Sequence, residues 1–399
     1  MKRVIAPLRD FLHRESSSGI LILLASAMGL IVANSSVSND YFSLLEKSFE
    51  LGFEPFAVKL STLKIINYVM MTIFFFVVGL EIKRELTTGH LASHKKAVMP
   101  FVAAIGGMAI PAVLYLAIAG STDSRGWGVP VATDIALAVG LLAMVGSSAV
   151  ASLRSFLLAL AVIDDIGAIL IIAFVYSSGV VVSWLLAAVL AILGVLIFQK
   201  LKINKIFVYV AFGVLLWFAL YKSGVHPTLS GVIMGILTPN IRKDNSGLHD
   251  GSDGEVSIIE WIENRLHPWS SFIIVPIFAF ANTGVVISQE SISAAIESPI
   301  AWGIFVGLVL GKPLGIFATI YVSKRLNIGE LPEGAHPRSI FATGSAAGIG
   351  FTVAIFIANL AFKDPTIQDL AVVSIITASV VSGLVSFVIF KSTGKKSSF

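Results

Sequence analysis

Cysteine is absent from the 399-residue chain, and charged residues are scarce. Without cysteine the protein can form no disulfide, no thiol nucleophile and no cysteine-ligated metal site, although this leaves the compartment open. Charged residues make up 13% of the sequence, which is about half the share usual in a soluble domain. A separate soluble domain would need a long polar block, and the sequence contains none. The scarcity of charge therefore excludes an ordinary soluble protein.

Apolar residues are abundant, at 56% of the chain, and the mean hydropathy is +0.90. Because a membrane-spanning helix needs roughly 20 apolar residues, we expect an all-α integral membrane fold, with residues 1–399 as one transmembrane domain. The apolar run from Gly19 to Ala33 has signal-peptide length, but we interpret it as a retained first span. Apolar runs bounded by charge, proline or glycine predict about twelve spans, near 17–34, 63–83, 97–120, 128–146, 152–176, 180–199, 205–221, 224–239, 258–282, 299–323, 339–361 and 367–390.

The placement of lysine and arginine predicts the orientation of these spans. Most of the 28 basic residues fall in segments on one side of the predicted membrane, and that side is the cytoplasm by the positive-inside rule. We therefore expect a multi-pass protein of the bacterial inner membrane, with both termini cytoplasmic. The segments 1–16 and 240–257 would be cytoplasmic. The formal charge of +4 follows from this placement and does not indicate a nucleic-acid partner.

The longest predicted periplasmic segment, 35–62, shows partial alternation of apolar and polar residues. Such alternation favours a short β-hairpin, whose exposed edge strand can pair with a second subunit. An irregular loop is the alternative interpretation.

Two predicted spans have features of interrupted helices. The fourth contains Pro130 in its apolar run, and the eleventh contains Gly344, Gly348 and Gly350. Proline removes a backbone donor and glycine loosens a helix, although membrane helices also use glycine for close packing. The two candidates occupy the middle of spans 3–5 and 10–12, which run in opposite directions. That arrangement is expected of an inverted repeat, and paired interruptions are typical of a transporter's binding site.

Four charged side chains fall well inside apolar runs, namely Asp134, Asp164, Asp165 and Lys312. Each costs roughly 2.5–3.5 kcal/mol at the centre of a membrane helix, so each must be paired or hydrated. Asp164 and Asp165 are adjacent and lie about 100° apart around a helix axis. With Lys312 as partner, one carboxylate can stay ionised while the other takes up a proton. A structural ion pair without a transport role would explain only two of the four groups.

Carboxylate oxygens are hard ligands that suit a small hard cation. A site that binds either Na⁺ or protons, and never both together, exchanges one for the other by mass action. Lys312 can act as a second switch if it loses its proton when the cation takes its partner. No cofactor is expected, and the transported ions are the only ligands that the pattern implies.

Asp134 lies beside Thr133 at the suspected break in the fourth span. Two crossed, interrupted helices would bring like ends of their dipoles together in the middle of the membrane. Asp134 would then neutralise the paired N-termini and Lys312 the paired C-termini. Alternatively, Asp134 is a third cation ligand.

Other classes of membrane protein fit less well. An intramembrane aspartyl protease needs its two aspartates on separate helices, whereas Asp164 and Asp165 are contiguous. A prenyl-type enzyme would need DDxxD to hold Mg²⁺-diphosphate, but the sequence continues DDIGA. A channel with an acidic filter is disfavoured because a lysine would stand in the path of the cation. We therefore do not expect an enzyme, and a carrier of a different substrate on a related fold is the alternative function.

Around these residues the chain resembles the NhaA-type sodium/proton antiporters. The resemblance covers nearly the full length, in order, and the Asp-Asp motif together with GKPLGI and GIGFT is highly specific. This family is itself an example of the link between interrupted repeats and transporter binding sites. The resemblance and the two interrupted spans therefore do not support the function independently. The matching stretches are VATDIALAVG (131–140), LAVIDDIGAILIIAFVY (160–176), KSGVHPTLSGVIMG (222–235), PIFAFANTGV (276–285), GKPLGI (311–316), LPEGA (331–335) and GIGFTVAIFIANLAF (348–362).

The resemblance implies a function and a set of site residues. Asp164 and Asp165 would bind Na⁺ or Li⁺ and exchange protons, Lys312 would pair with Asp164, and Asp134, near Thr133, would balance charge between the crossed helices. It also implies electrogenic, pH-regulated exchange of sodium out for protons in, by alternating access. A homodimer would form through the periplasmic segment 35–62.

The family's pH-sensing cluster lies at the cytoplasmic end of the protein, and its matching positions contain five ionisable residues. A solvated helix end with ion pairs three or four residues apart is the alternative interpretation. Asn264 and Tyr68 stand where some members have a histidine and an aspartate, so these two positions depart from the family's pattern. The five residues are Glu81, Arg84, Glu85, Glu263 and His267.

Overall fold

The computed structural model describes residues 15–52, 57–145, 148–177, 179–203, 205–239, 257–329, 331–332 and 334–394. The predicted cytoplasmic segment 1–16 lies outside the described residues up to residue 14. The predicted loop 240–257 also lies outside them, apart from Ser257. Within the described part the protein is helical except for one small sheet, so the all-α prediction is confirmed.

Helices make up most of the described residues. Three stretches are π-helical, at Ile65–Met70, Ser270–Ile274 and Gly307–Gly311, and the longer of two 3₁₀ stretches is Ser124–Val131. The strands are β1 (Ser48–Leu51) and β2 (Val58–Ser61). The principal helices are α1 (Glu15–Ala33), α2 (Ser38–Glu46), α3 (Met71–Thr87), α4 (His94–Ala119), α5 (Ile135–Val145), α6 (Ser148–Phe174), α7 (Val182–Lys200), α8 (Ile206–Ser223), α9 (Leu229–Leu237), α10 (Ile258–Trp269), α11 (Val275–Asn282), α12 (Gln289–Glu297), α13 (Pro299–Val306), α14 (Lys312–Arg325), α15 (Pro337–Ala347), α16 (Phe351–Ala361) and α17 (Pro365–Gly394).

Among the described residues, 8 helices are long and apolar enough to cross a membrane, or up to 10 if each of two bent pairs is one span. The expected number of about twelve is therefore not confirmed. The predicted span 224–239 forms the short helix α9, because the segment from His226 to Thr228 is a turn. The predicted span 258–282 begins with the polar helix α10, which carries four acidic or basic side chains, Glu260, Glu263, Arg265 and His267.

The chain divides into two compact units. The first lies within Met1–Tyr41, His90–Ala168 and Ala279–Phe399, and the second within Phe42–Gly89 and Ile169–Phe278. The first unit holds α4, α5, α13 to α17 and most of α6, and therefore all four charged residues of the predicted spans. The second holds both strands, α3 and α7 to α10.

The core of the first unit consists of small and branched apolar side chains from α4, α5, α6, α14, α15 and the end of α17. Leu142, Leu157 and Ile316 are fully buried in this cluster, together with several alanines. Small side chains let helix backbones approach closely where lipid supplies no hydrophobic drive for association. This packing fixes the segments that carry the charged residues.

The segment 35–62 forms a helix and a hairpin. β1 and β2 pair antiparallel, with Phe49 opposite Leu60 and Glu50 opposite Lys59. Opposite charges at such a paired position stabilise two strands by roughly 0.2–1 kcal/mol. The sequence did not predict the preceding helix α2, whose nine residues show no long apolar run.

Candidate functional site

The two interrupted segments of the first unit contact each other at their breaks. The 3₁₀ stretch Ser124–Val131 is followed by the non-helical residues 132–134 and then by α5. Helices α15 and α16 are separated by residues 348–350 and bent by 49°. The backbone N–H of Asp134 donates to the carbonyl of Ile349 at 2.6 Å, which joins one break to the other.

Proline and glycine explain the local geometry of the breaks. Pro130 lies in the 3₁₀ stretch just before the first break, and Gly348 and Gly350 lie in the second. A Cβ on Gly350 would lie 3.2 Å from the carbonyl oxygen of Ala132. A side chain at this position would therefore press against the opposite break.

Gly344 does not lie in a break. It is helical, within α15, three residues before the end of that helix. A Cβ at this position would lie 2.9 Å from the Cα of Pro313 on α14. Gly344 therefore permits close packing of α15 against α14, and the expectation that it interrupts the helix is wrong.

Asp164 and Lys312 form an ion pair in the interior. The Lys312 Nζ lies 2.7 Å from Asp164 Oδ2, and both side chains are 0% exposed. Lys312 also donates to the carbonyl of Val131, the last residue of the 3₁₀ stretch. A buried charge is tolerated only when it is paired and hydrogen-bonded, and Lys312 has both kinds of partner.

Thr133 contacts both interrupted segments and the ion pair. Its hydroxyl oxygen is 2.9 Å from Asp164 Oδ2 and 2.9 Å from the carbonyl oxygen of Ala347. Because a hydroxyl has one proton, it can donate to only one of these acceptors at a time. Ala347 is the last residue of α15, so the carbonyl ends of both interrupted helices face the Asp164–Lys312 pair.

Asp134 lies against the opposite ends of the helices. One carboxylate oxygen accepts from the backbone N–H of Leu137 at 3.1 Å, in the first turn of α5. The other accepts from the backbone N–H of Thr352 at 3.1 Å and from its hydroxyl at 2.5 Å, in the first turn of α16. An acidic side chain that satisfies orphan N–H groups at a helix N-terminus also complements the helix dipole. Asp134 does this for two helices at once.

Asp165, the next residue along α6, is also buried, with 8% of its surface exposed. Asp164 Oδ2 accepts from Lys312 and Thr133, whereas Asp164 Oδ1 is buried and has no hydrogen-bond partner among the described residues. A buried carboxylate oxygen without a donor is unfavourable unless it binds a proton or a cation. The arrangement can therefore bind one or the other.

The second unit brings together part of the predicted pH-sensing cluster. Arg84 Nη1 on α3 lies 2.6 Å from Glu263 Oε1 on α10, and the two side chains are 33% and 8% exposed. Glu81 and Glu85 act electrostatically on Glu263, and Arg84 acts on His267. Buried Glu263 Oε2 has no hydrogen-bond partner among the described residues. The structure therefore shows one direct contact within the predicted cluster, the Arg84–Glu263 ion pair.

Tyr68 lies against a buried histidine of the same unit. The rings of Tyr68 and His226 meet edge to face at 4.8 Å between centroids. The Nδ1 of His226 is 2.6 Å from the hydroxyl of Thr228.

Sequence reasoning missed Thr352 and the carbonyls of Val131 and Ala347. Thr352 follows the glycines of GIGFT, and a hydroxyl placed directly after a helix break is a signal that could have found it. The two carbonyls have no sequence signal, because any residue supplies one.

The comparisons with known proteins show which family the chain belongs to. A family model described as Na⁺/H⁺ antiporter 1 matches residues 9–390. The Na⁺/H⁺ antiporter NhaA 1 of Clostridium beijerinckii is 40% identical over 391 residues, which cover 96% of this chain and 95% of that protein. The chain belongs to the NhaA family of Na⁺/H⁺ antiporters. NhaA of Mannheimia succiniciproducens is 40% identical, with 98% and 100% of the two chains covered, and NhaA of Oleidesulfovibrio alaskensis is 39% identical, with 98% and 94% covered.

Membership of the NhaA family confirms the resemblance drawn from the motifs, and it agrees with the apolar helices. The protein is a multi-pass membrane protein of a transporter family. Its relatives are named as antiporters and not as enzymes.

Proposed function

We propose that the protein is an electrogenic, pH-regulated antiporter that moves Na⁺ or Li⁺ out of the cell in exchange for protons. Cation and protons compete for Asp164 and Asp165. The observation that carries this proposal is the buried Asp164–Lys312 pair, held at 2.7 Å between two helix breaks. Without bulk water, the charge of this pair must be balanced in each state of the cycle.

Competition follows from the contacts of Asp164. Na⁺ would bind its carboxylate oxygens, with the Thr133 hydroxyl and the Ala347 carbonyl as further hard ligands. The bound cation would take the place of Lys312 as the partner of Asp164, and Lys312 would give up its proton. Asp165 would release a second proton, so more than one proton would move for each Na⁺. Such exchange carries net charge.

Alternating access would use the interrupted helices. Their ends are held by Asp134 at one side and by Lys312 and Thr133 at the other. In this proposal Asp134 balances the dipoles of α5 and α16, because both of its oxygens are occupied by N–H or O–H donors. A role as a third cation ligand would require it to give up these hydrogen bonds.

The first prediction concerns transport by reconstituted protein. Vesicles containing wild-type protein and a trapped pH dye should respond to Na⁺ and Li⁺ but not to K⁺ or Ca²⁺. Asp164→Asn and Asp165→Asn should each abolish the response, because a neutral amide cannot exchange a proton for a cation.

Asp364→Asn is the matched control. Asp364 is exposed and accepts from the N–H of Thr366 at 2.9 Å, and asparagine can keep that bond. Exchange of wild-type size in either Asp164→Asn or Asp165→Asn would refute the site. A response to another ion or solute in place of Na⁺ would favour a carrier of a different substrate.

We also propose that Glu81, Arg84, Glu85, Glu263 and His267 set the pH dependence. The support is the close Arg84–Glu263 pair and its electrostatic neighbours. Arg84→Gln should reduce stability by roughly 1–3 kcal/mol, because it leaves the nearly buried carboxylate of Glu263 without its partner. Adding Glu263→Gln to Arg84→Gln should restore part of that loss.

The measurements are the apparent melting temperature in detergent and the rate of exchange against pH. If the pair senses pH, Arg84→Gln and Glu263→Gln should each shift the activity curve along the pH axis. A change of the maximal rate alone, with the curve in its original position, would mean that the pair is only structural.

We further propose that the protein lies in the bacterial inner membrane with both termini in the cytoplasm, and that it forms a homodimer through β1 and β2. The support is the distribution of lysine and arginine and the strand β1, whose residues 48–50 are exposed.

A further inference from the structure

Ser382 on α17 is a buried polar group that the proposed mechanism does not use. Its residue is 1% exposed, and its hydroxyl has no hydrogen-bond partner among the described residues. An unpaired hydroxyl in the interior of a membrane protein is unfavourable by roughly 1–3 kcal/mol. Alanine at this position would avoid the penalty, so we expect the hydroxyl to have a function.

The neighbouring serines on the same face of α17 do have partners. Ser379 accepts from the backbone N–H of Phe351, at the start of α16, at 3.2 Å. Ser386 donates to the carbonyl of Ala342, on α15, at 2.8 Å. Residues 379, 382 and 386 lie on one helix face, so this face runs along the interrupted segment, with Ser382 level with the break.

Ser382 also forgoes the bond that membrane serines commonly make. Ser345 donates to the carbonyl of Phe341 at 3.0 Å, and Ser26 to that of Ile22 at 2.9 Å, each four residues earlier in its own helix. The hydroxyl of Ser382 makes no such bond to α17. It is turned toward Gly348, where a Cβ would lie 2.9 Å from it.

The carbonyl of Leu308 faces the same glycine. It would lie 2.5 Å from a Cβ on Gly348. Its usual helical donor, the N–H of Lys312, bonds to Gly307 because this stretch is π-helical. The following residue is Pro313, which has no N–H. A hydroxyl without an acceptor and a carbonyl that lacks the N–H donors of residues 312 and 313 thus lie on one side of the break, one turn before Lys312.

We propose that Ser382 is a positioning residue of the exchange cycle, which donates to the Leu308 carbonyl in another state of the transporter. A small displacement of the Lys312-bearing segment along α17 would form this bond and satisfy both groups. The bond would then stabilise a state that the carrier must visit to exchange ions. This inference rests on the proposed antiport, since a static protein would have no use for it.

The test compares Ser382→Ala with Ser386→Ala and Ser382→Thr. Ser382→Ala should lower the maximal rate of Na⁺-driven proton movement about three- to tenfold, the population shift expected for one lost neutral hydrogen bond. The apparent melting temperature of Ser382→Ala should be unchanged or higher, because the hydroxyl that it removes makes no hydrogen bond among the described residues. Ser386→Ala should lower the melting temperature, since its hydroxyl is bonded here. Ser382→Thr keeps the hydroxyl and should keep most of the rate.

Three outcomes would overturn the inference. Ser382→Ala could exchange ions at the wild-type rate, it could lose rate and melting temperature together as a structural serine would, or Ser382→Thr could be as slow as Ser382→Ala. Failure of the wild-type protein to exchange Na⁺ for protons would instead overturn the proposed function. The two failures are therefore distinguishable in one set of vesicles.

Discussion

At the scale of single residues, the site depends on how buried charges are paired. Asp164 has Lys312 and Thr133 as donors on one oxygen, and Asp134 has donors on both. Asp134 is therefore fixed by hydrogen bonds, whereas Asp164 Oδ1 is open to a proton or a cation. The two aspartates are almost equally buried, at 2% and 1% exposed, but their hydrogen-bond surroundings differ.

Lys312 provides a prediction at this scale. Lys312→Ala leaves the fully buried Asp164 without a counter-charge and should destabilise the protein by about 3–5 kcal/mol. Lys312→Arg keeps the positive charge and should lose less. The apparent melting temperature in detergent measures the difference. Equal stability of the two variants would show that the charge of Lys312 contributes nothing to the fold.

At the scale of elements, the interrupted helices are held together by close packing of backbone against backbone. Pro130 and the glycines of the second break could be found in the sequence, but the role of Gly344 could not. A glycine that interrupts a helix and a glycine that admits a neighbour look alike in a sequence. Only the position of α14 against α15 separates the two.

Two glycines on neighbouring elements give a matched pair of substitutions. Gly344→Ala would bring a methyl group 2.9 Å from the Cα of Pro313, and overpacking of this kind costs about 1–3 kcal/mol. Gly383→Ala on α17 would meet its nearest neighbour, Ile349, at 3.6 Å, an ordinary contact. Gly344→Ala should therefore lower the melting temperature and Gly383→Ala should not. The reverse order would contradict the close approach of α14 and α15.

At the scale of the whole molecule, the proposed homodimer through β1 and β2 gives a prediction. Because the chain has no cysteine, one introduced cysteine cannot form a disulfide within its own chain, and a band at twice the monomer mass reports a second copy. Glu50→Cys, on the exposed face of β1, should give a cross-linked dimer in membranes treated with an oxidant. Glu290→Cys, on the exposed helix α12 between the predicted spans 258–282 and 299–323, is the control and should remain monomeric. Absence of a dimer band with Glu50→Cys would rule out pairing of the β1 strands.

The sequence by itself determined the class of the protein and its candidate site residues. Long apolar runs, scarce charge and four charged residues inside predicted spans required a membrane protein with a paired internal site, because isolated charges are not stable in lipid. The count of spans was less secure, since α9 is short and α10 is polar. Hydropathy averages over a window and does not detect where a helix begins or turns.

Only the tertiary structure decided which groups meet. Thr352 is hydrogen-bonded to Asp134, 218 positions away in the sequence. The carbonyl of Val131 accepts from Lys312, 181 positions away, and that of Ala347 accepts from Thr133, 214 positions away. Such contacts depend on backbone atoms that every residue carries, so no sequence pattern marks them. The packing of small side chains brings the breaks together, and their free backbone groups then complete the site.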